Sequence, residues 1–281
     1  MTRTASARSL AYRNGLPARH DEEDDRGLPI DRVGIKGLVH PIEVRASDGT
    51  HQSTVAKVSL AVELPEHLKR TRMCHFISVL REHGPVIDGS TLPALVALLR
   101  ERLEAERAFV EVEFPYFIDK AAPISGTRGL VNYDVKLSAS AGAGATELTL
   151  TVRVPITTVC PISKAVSAYG AHSQRGYVTL TVRGSRLLTI KDAIDVVEAS
   201  VSGEVFAALL RIDQKHLTER AYENPVLVED LVRNVAQRCL LQPHIDWFHV
   251  EAENVESTHN HSAYATIQGS TRPKAGKSTR R

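Results

Sequence analysis

Cys160 stands directly before Pro161 at the end of a β-branched run, and His172 follows twelve residues later, flanked by Gly170, Gln174 and Arg175. Proline cannot donate to a strand ladder, so the residue before it is left exposed where the ladder stops. A thiolate and an imidazole are natural ligands for a catalytic zinc or similar divalent ion that keeps one position open for water. The spacing matches no zinc-finger rule. On spacing alone, a buried cysteine and a surface histidine explain the pair more simply.

A second group lies between Val250 and Tyr264, where Glu251, Glu253, Glu256, His259 and His261 fall within eleven residues. In an extended chain alternate side chains share a face, which pairs Glu251 with Glu253 and His259 with His261. Histidine beside carboxylate binds metal, orients a metal ligand or carries protons near neutral pH; a solvated edge strand has the same composition. Acidic residues recur from Asp213 to Asp230 near expected helix ends. There they act as caps or surface charges, or accept paired N–H groups from a guanine edge. The run Lys69-Arg70-Thr71-Arg72-Met73-Cys74-His75 opens an expected helix with three cations. Such cations oppose the helix dipole unless an anion, for example phosphate, sits among them. The patterns GxxxxGKS/T, GxGxxG after a strand, HExxH and GxSxG are missing, which removes the main support for four common enzyme classes.

These residues need a scaffold, and 281 residues have room for one large domain or two small ones. With 42% hydrophobic residues the chain can bury a core without disulfide or metal. Its 35 Lys+Arg and 33 Asp+Glu leave a charge of +2, too balanced for a general nucleic-acid binder. No apolar run approaches the roughly 18 residues of a membrane span. Three cysteines without CxxC spacing argue against a disulfide scaffold. The composition describes a soluble, cytoplasmic, globular protein with neither nucleic acid nor membrane as partner.

Period-two alternation over 54–64 predicts a half-buried strand, and further strands are expected at 33–44, 109–117, 130–138, 147–155, 177–183, 245–254 and 263–268. Helical spacing is expected at 73–82, 91–108, 190–211 and 224–240, the last with Pro225 near its start. Twice over, the order is strands, two helices, strands. That predicts an α+β fold of two tandem units, 29–145 and 146–268, each an antiparallel sheet with two helices on one face. Residues 1–28 and the basic stretch 269–281 have too few apolar groups to fold and are expected to be disordered tails.

The clusters, read in order, resemble the type IB GTP cyclohydrolase I family. The motifs are Asp31-Arg32-Val33-Gly34-Ile35-Lys36-Gly37, Phe114-Pro115-Tyr116-Phe117, Cys160-Pro161 with Ser163-Lys164, Tyr169-Gly170-Ala171-His172-Ser173-Gln174-Arg175, Ala221-Tyr222-Glu223-Asn224-Pro225 and the stretch Glu253 to Tyr264. The resemblance implies a tunnelling fold, a homotetramer with active sites between subunits, and conversion of GTP and water to 7,8-dihydroneopterin triphosphate and formate. It implies a divalent metal ion (Zn, Mn or Fe) held by Cys160 and His172, with His259 as a further ligand or the nearby acid/base and Glu256 supporting it. It makes Cys160, His259 and Glu256 the catalytic group, Glu229 the guanine anchor, and Lys69, Arg70 and Arg72 the triphosphate holders.

The chain also departs from that pattern. The family usually has Cys-Pro-Cys-Ser-Lys, where Ile162 replaces the second cysteine here. Arg70-Thr71-Arg72-Met73-Cys74-His75 stands for a usual Gly-Thr-His-Met-Ser-Arg, and Asp213-Gln214-Lys215 for Asp-Glu-Lys. Gln214 offers a neutral oxygen that holds a cation less tightly and cannot act as a base. The alternatives are therefore a divergent tunnelling-fold paralogue that binds a purine or pterin with altered or lost catalysis, and an oxidoreductase acting on a 7-deazapurine nitrile with Cys160 as nucleophile.

Overall fold

Along β2 (His51–Leu64), Ala56, Val58, Leu60, Val62 and Leu64 are buried while Val55 and Lys57 are exposed, so the strand has one dry and one wet face. The same alternation holds along β3 (Ala108–Ala121), β4 (Arg128–Ala141), β5 (Glu147–Val159) and β6 (Ser173–Gly184). With β1 (Ile30–Arg45), β8 (Trp247–Val255) and β9 (Ser262–Ser270) they form one antiparallel sheet in the order β1-β2-β3-β4-β5-β6-β8-β9. The two-residue β7 (Gly203–Glu204) pairs with β5 off that path. The computed structural model describes residues 24–46, 48–184 and 188–271.

The helices cover the dry face. Helix α1 (Met73–His83) and α2 (Leu92–Arg102) pack over β1 to β4, α4 (Ile190–Glu198) over β5 and β6, and α6 (Val228–Leu240) over β8 and β9. In α2 the fully buried Leu92, Leu95, Val96 and Leu99 form one stripe at helical spacing. The sheet is continuous across 145, where β4 pairs with β5 from Asp134–Arg153 to Ser140–Glu147. Among the described residues no helix is long and apolar enough to cross a membrane.

Three sequence expectations are corrected. The helix expected over 190–211 ends at Glu198 as α4, and a helix that was not expected, α5 (Arg211–Glu223), follows after β7. Partners on β5 take over beyond it: Ser202 Oγ accepts from the Val159 N–H, and Gly203 joins Thr157. The helix expected over 91–108 stops at Arg102, because Ala108 is already in β3. The strands expected at 147–155 and 177–183 are longer at the ends that face each other, with β5 running to Val159 and β6 starting at Ser173, and a short α3 (Pro161–Val166) lies between them. The expected tails fall mostly outside the described residues, although β9 continues to Ser270.

Two buried polar anchors tie the second half to the first. Asp213, fully buried, accepts from the N–H groups of Ile124 (3.0 Å), Ser125 (2.8 Å) and Leu210 (2.9 Å) and from the Ser125 hydroxyl (2.6 Å). Burial raises its pKa, but those bonds outweigh burial and hold the carboxyl down to about 2. The second anchor is Lys120, whose Nζ donates to both oxygens of Glu198 (2.9 Å each) and to Glu204 Oε2 (3.0 Å). Tyr133 adds a 2.8 Å bond to Glu198, and Arg220 reaches Glu204 at 3.3 Å. Burial pushes the Glu198 carboxyl up despite the adjacent ammonium.

Asp213 has a folded pKa below the ordinary 3.8, so its contribution is complete above that value and is lost as pH falls toward about 2. Asp213→Asn is expected to lower Tm at neutral pH, with the gap to wild type closing between about pH 4 and pH 2 in thermal scans. Lys120→Met leaves Glu198 with one hydroxyl donor and is expected to cost about 3–5 kcal/mol in denaturant unfolding. The double variant Lys120→Met/Glu198→Gln recovers part of that loss.

Candidate functional site

The register of β5 and β6 places Val159 opposite Ser173, and on the next rung the Cys160 N–H donates to the His172 carbonyl at 3.1 Å. Pro161 starts α3 there, and Cys160 Sγ accepts from the Ser163 N–H at 3.4 Å. The Ser163 hydroxyl donates to the Cys160 carbonyl (3.0 Å) and accepts from the His172 N–H (3.2 Å), so one side chain holds both backbones. Cys160 and His172 are half-buried.

The His172 ring is held from β6 and from the end of β8. Its Nδ1 lies 2.9 Å from Gln174 Oε1 and 3.1 Å from Ser257 Oγ. Gln174, buried, donates through Nε2 toward Glu256 Oε1 at 3.5 Å. Strand β8 can come this close because Gly176 has no side chain: a Cβ there would stand 2.4 Å from Asn254 Oδ1 and 2.8 Å from the Glu253 carbonyl. Glu256 thus reaches His172 through Gln174, and no hydrogen bond or ion pair joins it to His259 among the described residues. His259 sits exposed in the turn between β8 and β9, with Nδ1 3.2 Å from Thr258 Oγ1 and its ring 5.2 Å from that of His261.

Glu229 comes to the same end of the sheet. The Val226 N–H donates to the Val159 carbonyl at 3.2 Å, anchoring the start of α6 beside Cys160. Glu229 is exposed in the first turn of that helix, without an ion pair among the described residues. Lys164, over the Tyr222 ring at 4.2 Å and bonded to the Tyr222 carbonyl, ties α3 to the end of α5. Gln214 is exposed near the start of α5, beside the buried Asp213.

Lys69, Arg70 and Arg72 are not brought to this site within one chain. The end of β2 meets the start of β3, the end of β4 and the start of β5, whereas Cys160 follows the far end of β5. Thirteen residues of β5 make that separation roughly 40 Å along the strand. Arg70 and Arg72 instead line a pocket of about 270 Å3 with His75 and Arg102.

The donor chemistry of Cys160 and His172 suits a borderline divalent ion. Among the described residues, however, no three His, Cys, Asp or Glu side chains converge at metal-binding spacing. The other thiols are unlike Cys160: Cys74 is exposed, and burial pushes that of Cys239 up to about 12. Sequence reasoning gave no role to Ser163, Gln174 or Ser257. A signal for Gln174 was present, because residues 172 and 174 share one face of an extended chain.

The fold is shared with urate oxidases. A hyperthermostable mutant of the Bacillus sp. TB-90 enzyme aligns with a TM-score of 0.50 at 10% identity, covering 86% of this chain and 98% of that one. This antiparallel sheet with helices on one face is the tunnelling fold, and at that identity the likeness speaks to fold alone. Sequence relatives are nearer. The GTP cyclohydrolase FolE2 of Akkermansia muciniphila is 51% identical over 256 residues, covering 90% of this chain and 97% of the relative. The protein of the same name from Magnetococcus marinus is 46% identical over 250 residues, covering 89% and 94%. The family model described as type I GTP cyclohydrolase folE2 matches residues 16–265. The match bears out type I, and the name it carries is FolE2 rather than type IB. With nearly the whole sheet and every motif around Cys160 and His172 inside that match, this chain belongs to the type I GTP cyclohydrolase FolE2 family.

Proposed function

We propose that this chain is a metal-dependent GTP cyclohydrolase, of the type IB kind its motifs resemble, converting GTP and water to 7,8-dihydroneopterin triphosphate and formate on the way to tetrahydrofolate. The observation that carries the reading is the meeting of Cys160 and His172 on one rung, and the FolE2 relatives bearing the GTP cyclohydrolase name support it. A zinc, manganese or iron ion held by Cys160 and His172 would supply Lewis-acid activation of water for attack on C8 of the purine. Glu229 would accept paired N–H groups from the guanine edge at the start of α6. Glu256 steadies the His172 ring through Gln174. His259, on its exposed turn, serves as a further ligand or as the group that moves protons through ring opening, formate loss and recyclisation.

Lys69, Arg70 and Arg72 can hold the triphosphate of this site only from a second copy of the chain, because of the strand-length separation. That requirement supports an assembly with sites between subunits, which the family resemblance makes a homotetramer; its cytoplasmic location rests on composition alone. A second reading, a purine- or pterin-binding paralogue with altered or lost catalysis, is favoured by one residue: Gln214 stands where the family usually has glutamate.

A metal-loaded sample is expected to release formate and a fluorescent oxidised pterin from GTP. Tight GTP binding with neither product would overturn the cyclohydrolase reading in favour of the paralogue. Cys160→Ala and His172→Ala are each expected to lower formate release by more than about 100-fold, with metal content falling in parallel. Glu229→Gln is expected to raise KM for GTP by about 10–100-fold, the value of a charge-assisted bond, with a smaller change in kcat. A thiol reagent is expected to modify Cys74 and Cys160 but not Cys239 in the native metal-free protein, and Cys74 alone after zinc is added. Unchanged labelling of Cys160 with zinc present contradicts its place as a ligand.

A further inference from the structure

We infer that Gln174 selects the tautomer of His172, presenting Nε2 as the ring nitrogen with a free lone pair; the inference deepens the metal-site reading above and rests on it. The Glu256 carboxylate only accepts hydrogen bonds, so the Gln174 group facing it is the amide NH2. The other end of the amide, Oε1, then faces His172 Nδ1 at 2.9 Å, and it too only accepts. Nδ1 must therefore carry the proton, and Nε2 is left as the donor of electrons. A reversed amide would set its oxygen against a carboxylate oxygen.

Among the described residues the amide has no third hydrogen-bond partner. Gln174 is 8% exposed, and its rung partner Thr158 is fully buried with a hydroxyl that has no hydrogen bond among the described residues. Ser257 shares the Nδ1 proton at 3.1 Å from the exposed end of β8, so it is an auxiliary acceptor on a less constrained segment. Gln174 is a positioning residue: its two partners are the ring and the carboxylate. Metal-binding histidines are commonly oriented by such a partner on the second nitrogen, and its loss costs about 10–100-fold in metal affinity.

The test is long-range 1H–15N NMR of the histidine rings in the full-length, metal-free protein, with His172 assigned by its disappearance in His172→Gln. The wild type is expected in the Nδ1–H form and Ser257→Ala likewise, whereas Gln174→Met is expected to shift His172 toward Nε2–H. In parallel, zinc affinity is expected to fall about 10–100-fold in Gln174→Met. A wild-type His172 in the Nε2–H form overturns the inference without reference to any variant, and so does an unchanged tautomer in Gln174→Met. If zinc fails to bind wild type at all, the metal reading falls, while the metal-free spectra still decide the role of Gln174.

Discussion

The N–H of Cys160 donates to the carbonyl of His172, one rung beyond the Val159–Ser173 pair, and every other feature of the site is arranged around that bond. A slip of one residue between β5 and β6 would turn each side chain to the opposite face of the sheet and separate the two. The register is protected by burial: Val152, Val154, Ile156, Val178, Leu180 and Val182 fill the dry face along these strands. Ser163 then locks the rung from outside, and the start of α6 is pinned to it through Val226 and Val159. The hydrophobic core under α4 and α6 is thus what keeps a thiol and an imidazole together across twelve residues of sequence.

The same sheet that unites Cys160 with His172 keeps the basic run at 69–72 away from them. Antiparallel strands of thirteen or fourteen residues put successive turns at alternate ends, and the β2–α1 connection falls at the end opposite the Cys160 rung. A single chain carries Glu229, the thiol and the imidazole at one end, and the cations at the other. That distance is the ground on which a site between copies of the chain is proposed above.

Much of this was legible in the sequence where the signal was local. Alternation in 54–64 and 147–155 reported strands because the sheet is wet on one side, and the stripe at Leu92, Leu95 and Leu99 reported α2. The break after Glu198 was hidden, since Ala199 to Ser202 do not oppose a helix by propensity and only their partners on β5 end it. At the candidate site, residue types singled out Cys160, His172 and Glu256, and strand register brings them to one end of the sheet. Their connection was not readable: Glu256 lies beside Gln174 across β6 and β8, a relation of strand register and not of sequence distance. The opposite placement of Lys69, Arg70 and Arg72 was hidden for the same reason.

The central claim, that the Cys160–His172 rung is a metal-dependent centre for opening the guanine ring, is tested most directly by titrating metal-free protein with zinc, manganese or iron and following formate release from GTP. The account predicts no release without metal and a linear rise that saturates at one ion per chain. Full turnover in the rigorously metal-free protein, or a rise that does not saturate at that ratio, would contradict it.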